Sequence, residues 1–252
     1  MSSVRSESII ENKQLYRKIV YAINKAVSQD IPKNNRENHL ETNNRNIFAT
    51  SDFINENLRN HVVDDNNIEL IAFNRFSWEG RIIVDKKNKI TYTISSYQTL
   101  KTVIKKHRSR PHYLMTLLYG ENGECTGTSK QMSLGDYLPD FDDSIFDEDT
   151  LLDDYNKIMR GCINVSDGYK HYIVVYKSEN YMISQIELLF LDKGFEVIES
   201  KDLSEYITPD FAALSDEQYM DLEDEAEYES KKNMVQLKSS VKLKLRSVED
   251  EA

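Results

Sequence analysis

Ile68-Glu-Leu-Ile-Ala-Phe73, Arg81-Ile-Ile-Val-Asp85 and Ile90-Thr-Tyr-Thr-Ile94 are three short runs whose reading decides the fold class. Each is rich in the β-branched and aromatic side chains that suit a pleated surface, so each predicts a strand. Asp85-Lys-Lys-Asn-Lys89, between the second and third, is short and polar. Asn88 tolerates positive φ, which makes an antiparallel hairpin the economical connection. Ser96 is placed to cap a helix reaching Arg108, with Leu100, Val103 and Ile104 on one face. Pro111 disfavours α conformation at Arg110 and stops that helix. The apolar run Tyr113 to Tyr119 then predicts a fourth strand, for a local order βββαβ.

Upstream, Ser8 to Gln29 predicts an amphipathic helix, with Ser8 and Glu11 as a capping box and Tyr16, Ile19, Val20, Ile23 and Val27 on one stripe. That stripe needs a partner, either the sheet or a second copy of the chain in a homodimer. Pro32 is expected to end the helix, and the Asn-rich stretch to Asn46 reads as a surface loop. A second helix follows, capped by Ser51, with Phe53, Ile54 and Leu58 on one side. Downstream, Tyr172 to Tyr176, Tyr181 to Leu191 and Phe195 to Ile198 form a second β block, joined by Lys177-Ser-Glu-Asn180 and Asp192-Lys-Gly194. Asp202 to Ile207 predicts a short helix, Ser215 to Lys232 an acidic helix, and Val241 to Arg246 an edge strand. The two β blocks do not align as a repeat. The class is therefore α+β: N-terminal helices (1–66) packed on a predominantly antiparallel sheet built from both β-rich blocks (67–209). An acidic insertion (136–154) interrupts the sheet segments, and an acidic helical tail with a terminal strand (210–252) follows.

The chain has 252 residues, 39% of them apolar and 30% charged. A body of that size buries roughly 70 to 75% of its unfolded surface. No apolar run approaches the roughly 18 to 20 residues that cross a bilayer, and Met1-Ser-Ser-Val-Arg5 lacks a signal-peptide apolar segment, so the expectation is a cytoplasmic protein without a membrane partner. Cys125 and Cys162 lie in unlike surroundings and are expected to stay reduced. The five histidines show no metal-ligand spacing. There is no glycine-rich phosphate loop and no nucleophile elbow. The abundance of Asn, Lys and Ile points to a microbial or viral low-GC source.

Three groups of residues carry candidate functions. From Asp136 to Asp154 carboxylates alternate with rings, and aromatics in a loop dock on something. Tyr137, Phe141, Asp142, Asp143, Phe146 and Asp147 are therefore the candidate contacts to a protein partner, with folding of this segment over the chain's own basic helix as the competing reading. Lys101, Lys105, Lys106, Arg108 and Arg110, with Tyr97 or Tyr113 for stacking, form a candidate nucleic-acid patch. The bland alternative is that cations at a helix C-terminus complement its dipole. Asp192, Glu199 and Lys201, or Glu79, Asp85 and Lys87, match the acid-x-Lys arrangement of a Mg2+-dependent nuclease. Trp78 reads as core. The leading expectation is a binding or regulatory protein that contacts another macromolecule through the acidic-aromatic surface, with no catalytic residue, no metal and no cofactor. The alternative is the metal-dependent nuclease. The net charge of -11 repels nucleic acid on average but does not exclude a local cationic site.

Overall fold

A computed structural model describes residues 12–38, 44–63, 67–75, 78–105, 109–125 and 146–207. The expected caps at Ser8 and Glu11, most of the acidic insertion, and the helix and strand expected after residue 210 lie outside them. Six strands, β1 (Ile68–Arg75), β2 (Trp78–Asp85), β3 (Ile90–Ser96), β4 (Lys170–Glu179), β5 (Met182–Leu191) and β6 (Val197–Asp202), lie side by side in chain order. Every neighbouring pair is antiparallel except β3 and β4, which run parallel from Ile90↔Lys170 to Ser96↔Tyr176. Two antiparallel meanders thus meet in one parallel pair. A parallel pair cannot be closed by a tight turn and needs a crossover, which is why helices follow β3 before β4 begins.

Alternation along the strands sends residues to two separate cores. Ile83, Tyr92, Val174 and Leu188 face one side, and Ile82, Val84, Ile173, Val175 and Leu189 the other. The first side is covered by α1 (Lys13–Lys25) and α3 (Asn46–His61). The stripe Tyr16, Ile19, Val20 and Ile23 of α1 is buried there, so the sheet is its partner. The second side is covered by α4 (Tyr97–Lys105), α5 (Tyr113–Asn122) and α6 (Glu148–Met159). The α+β class holds, but the sheet carries helices on both faces.

That second layer overturns two expectations. Tyr113 to Tyr119 is helix, not strand, and the local order is βββαα. The helix lies between the sheet and α6 and buries Tyr113, Leu114, Leu117 and Leu118 together, so its sequence is apolar nearly all round, Thr116 excepted, instead of along one stripe. The acidic insertion ends in α6, whose N-cap is Asp147 and whose first turn carries Glu148 and Asp149, where carboxylates oppose the positive end of the helix dipole.

Other differences are local. Asn12 caps α1, its side chain accepting from Leu15 N at 3.1 Å. Pro32 does not end the helical run: a π-helical turn (Ala26–Asp30) carries it into α2 (Ile31–Asn38), with Pro32 at its second residue. Part of the expected loop is therefore helix. The following helix begins at Asn46, ahead of Ser51. In the β2–β3 turn the positive φ falls on Lys89 (53°), not Asn88. Asn88 instead donates from its backbone N (3.0 Å) and its side chain (2.7 Å) to Asp85. At the β4–β5 turn Asn180 and Tyr181 both take positive φ, 50° and 62°, as a two-residue hairpin of matching twist requires. A tyrosine there is unusual, and such outliers concentrate where a surface is used.

Candidate functional site

The structure disperses the residues singled out in the sequence. Phe146 packs against the core of the second face. Asp147 accepts from Thr150 N (2.7 Å) and Thr150 Oγ1 (3.0 Å), bonds that hold its carboxyl below the usual range. Tyr137, Phe141, Asp142 and Asp143 lie outside the described residues, as do Lys106 and Arg108. Lys101 and Lys105 line a shallow depression with Gln98 and Thr102, whereas Arg110 lines a different site, so the described basic residues are divided between two places. Asp192 Oδ1 accepts from Gly194 N (2.9 Å) and Glu196 N (2.8 Å) and shapes the β5–β6 turn. Glu199 and Lys201 pair with Phe190 and Leu188 across the ladder, and Lys201 Nζ lies 5.6 Å from the Tyr16 ring centroid. Asp85 is buried, bonded to Asn88 and to Asn12 Nδ2 at 3.2 Å. Among the described residues no three His, Cys, Asp or Glu side chains are grouped to hold a metal.

What the fold does assemble is a cleft of about 1130 Å³ at the ends of β3 and β4. The crevice forms because β3 and β4 end together and their continuations separate, β3 into α4 and β4 into the hairpin turn. The end of β1 brings Arg75, the start of β2 brings Trp78 and Arg81, and the approach to α5 brings Arg110. No carboxylate lines it among the described residues, in a chain with 43 acidic and 32 basic side chains.

Helix geometry adds to the positive field. The first turns of α3 and α4 and the start of α5 all face the cleft, through Asn46, Thr99 and His112 respectively, and none of the three has an acid in its first turn. The positive ends of three macrodipoles therefore lie toward the cleft with no first-turn acid opposite them, although Ser96 Oγ caps Thr99 N of α4 (3.1 Å) and His112 Nδ1 caps Leu114 N of α5 (3.3 Å). α1 and α2 also lack a first-turn acid, and among the described α-helices only α6 carries any.

The walls also carry rings. Trp78 stacks on Tyr113 (centroids 5.3 Å apart, planes at 26°) and meets Phe73 edge to face at 5.6 Å. Trp78 is thus both core and lining. Among the lining residues, Ile47 is 77% and Phe48 65% exposed, and Tyr181 with its positive φ also lines the cleft. Burial pushes the Tyr113 hydroxyl well above its ordinary range and that of Tyr176 to about 12, so both stay neutral.

Arg75 and Arg81 are held by side chains outside the lining. Arg75 donates Nη1 to Asp154 Oδ1 (2.7 Å) and Nη2 to Oδ2, which also accepts from Thr116 Oγ1 at 2.6 Å. Its Nε is buried and has no partner among the described residues. Arg81 reaches Gly80 O at 3.0 Å and the exposed Glu79 at 3.3 Å. Sequence reasoning passed over Arg75 and Arg81 because neither belongs to a basic run. No local signal marks them, since first-turn acids are missing from α1 and α2 as well as from α3, α4 and α5.

The chain belongs to a family of unknown function, DUF5986, which it matches over residues 8–251. No curated protein and no solved structure matches it. Among the described residues no helix is long and apolar enough to cross a membrane.

Proposed function

We propose that this chain is a binding protein that holds single-stranded nucleic acid in the cleft at the ends of β3 and β4. The observation that carries the reading is a lining with three arginines and no carboxylate in a chain of net charge -11. Random placement of so many acids would leave several in any lining of that size. Their absence, together with three helix starts that carry no acid in the first turn, favours an anion. The exposed Phe48 and Tyr181, which line the same cleft as the cations, favour one that carries flat bases, since stacking on rings and phosphate contact from arginine are the two components of sequence-tolerant single-strand binding. A volume of about 1130 Å³ exceeds the roughly 300 to 1,000 Å³ of ordinary small-molecule pockets, in keeping with a polymer segment.

The earlier readings receive less support. Of the acidic-aromatic contacts, the two that are described serve α6, and the carboxylates Asp85 and Asp192 offered for Mg2+ are engaged in turns. A binding role through the cleft keeps the macromolecular partner of the leading expectation and changes its chemistry.

Calorimetric titration of the full chain with a short single-stranded oligonucleotide tests the reading. Binding should weaken linearly in log Kd against log salt, with a slope of about 0.7 per phosphate contacted. Arg110→Glu and Arg81→Glu should each lower that slope by about one such unit, and Phe48→Ala should weaken binding at all salt concentrations by roughly 1 to 3 kcal/mol. Absence of binding at low salt ends the proposal.

A further inference from the structure

Behind the cleft wall lies a buried chain of polar groups joined by hydrogen bonds. Thr93, a lining residue only 2% exposed, has its Oγ1 2.9 Å from His171 Nε2. His171 Nδ1 is 2.7 Å from Thr91 Oγ1, and Thr91 Oγ1 is hydrogen-bonded to Glu121 Oε2. Tyr155 Oη donates to the other carboxylate oxygen at 3.1 Å. The Glu121 side chain is 1% exposed. Asn122 locks the backbone beside it, its side chain bonded to His171 N (2.8 Å), His171 O (2.8 Å) and Leu191 O (2.7 Å).

Counting hydrogens fixes the direction of this chain. Desolvation drives His171 down to about 3, so the ring is neutral near pH 7 and carries one N–H. With Glu121 ionised, three hydrogens serve three links: Thr93 O–H to Nε2, Nδ1–H to Thr91, and Thr91 O–H to the carboxylate. Thr93 then turns its hydrogen inward and presents only lone pairs to the cleft. Adding one proton at Glu121 Oε2 reverses every link. Glu121 donates to Thr91, Thr91 to Nδ1, and Nε2–H to Thr93, so the hydrogen of Thr93 has no place in the chain and is directed to the cleft.

We propose that the protonation state of Glu121 sets, through Thr91 and His171, whether Thr93 offers the cleft a hydrogen-bond donor or an acceptor. Resting on the reading of the cleft as an anion site, this makes Thr93 a residue that favours phosphate oxygens only when Glu121 is neutral, so that a nucleic-acid strand binds with uptake of a proton. Desolvation pushes Glu121 up to about 7, against the lowering effect of its hydrogen bonds from Thr91 and Tyr155. The groups that face it are Thr91 of β3, His171 of β4, Tyr155 of α6 and Asn122 of its own helix. Asp167 and Tyr169 come next, acting on Tyr155, and Lys86 and Glu69 act on Tyr169. A proton on Oε1 instead would turn Tyr155 Oη–H away and leave the His171 tautomer unchanged, so the tautomer is the diagnostic readout.

The experiment is nitrogen NMR of the His171 ring in the full chain across neutral pH, combined with titration of a single-stranded oligothymidylate, whose phosphodiesters do not ionise in that range. His171 should pass from the Nε2–H tautomer to the Nδ1–H tautomer with a midpoint near that of Glu121. Oligothymidylate affinity should fall about tenfold between about pH 6 and about pH 8, as one linked proton with a midpoint near neutrality requires. Glu121→Gln, whose amide can donate to Thr91 while its oxygen accepts from Tyr155, should hold the Nε2–H tautomer and the tighter affinity at all pH. Thr93→Val should abolish the pH dependence while leaving the tautomer change in place. A tautomer that does not change with pH overturns the proposal whatever the ligand does. A changing tautomer with pH-independent affinity overturns the coupling alone, and a changing tautomer with no binding at either pH overturns the cleft reading together with the coupling.

Discussion

Gly120→Ala sets two effects of known size against each other. In a helix interior Ala should stabilise by about 1 kcal/mol over Gly, because it loses less backbone freedom on folding. At this position a Cβ would lie 2.4 Å from Tyr155 Cδ2, 2.7 Å from Cε2 and 3.0 Å from Cγ. The ring has nowhere to go, since Tyr155 is fully buried and its hydroxyl is fixed on Glu121. Overpacking of a tight interface costs about 1 to 3 kcal/mol. Displacing the hydroxyl deprives a buried carboxylate of a donor, at about 1 to 3 kcal/mol more. The clash wins, and we expect a net loss of about 3 kcal/mol. Urea unfolding followed by circular dichroism should show the midpoint lowered by about 1 M at an m-value near 3 kcal/mol/M. In a Tyr155→Ala background the same change should be neutral or stabilising by about 1 kcal/mol, a coupling that independent sites would not show. Equal or greater stability of the single variant would refute both the close approach of α5 to α6 and the helical assignment of Tyr113 to Asn122.

Glu121 gives a pH signature. Its folded pKa of about 7 lies above the ordinary 4.5, so its contribution is fully present below about pH 4.5 and is lost as pH rises through about 7, amounting to about 3 kcal/mol. The contribution of His171, depressed to about 3, has the opposite sign, being complete above about 6.5 and lost as pH falls through about 3. His171 remains in Glu121→Gln, so the stability of that variant relative to the parent should increase with pH between about 5 and 8 in chemical denaturation; a constant difference refutes the assignment. Asp154→Ala removes the partner of Arg75 and should lower stability by about 1 to 3 kcal/mol while making single-strand binding steeper in salt by about 0.7. An unchanged salt slope would show that Arg75 does not reach the strand. Asn122→Ala strips three hydrogen bonds from β4 and β5 backbone in a fully buried site and should cost about 2 to 4 kcal/mol, read as a fall in thermal midpoint.

Strands were the legible part of the sequence because β2–β3, β4–β5 and β5–β6 are joined through short, mostly polar links, where local chemistry and global pairing agree. Helix α1 was legible for a similar reason, since only one of its faces is covered. α5 was not, because its largely apolar run from Tyr113 to Tyr119 is the length of a strand. The residues that would have extended it past Gly120, Glu121 and Asn122, are polar and look like loop. They are polar because they bond to the interior of the sheet. α6 escaped notice because its starting acids were read as a docking surface instead of as the cap and first turn of a helix. The cleft was invisible to any scan for local clusters. Its cations stand singly on β1, β2 and the approach to α5, and only the register of the sheet and the break between β3 and β4 bring them together.

β3 shows how a correct local reading can hide a functional one. Ile90, Tyr92 and Ile94 alternate with Thr91, Thr93 and Ser95, a pattern that ordinarily marks a strand with one face in water. Here both faces are covered, and the three hydroxyl residues are 0%, 2% and 5% exposed. A hydroxyl buried without a partner costs about 1 to 3 kcal/mol, so a central strand with a hydroxyl-bearing inner face is stable only if the facing layer supplies hydrogen-bonding groups. α5 supplies Glu121, and β4 supplies His171 directly opposite Thr91 in the parallel register. An apolar face would have packed with less difficulty. The hydroxyls connect the bottom of the cleft to a group that ionises near neutrality, and a row of isoleucines could not carry that connection.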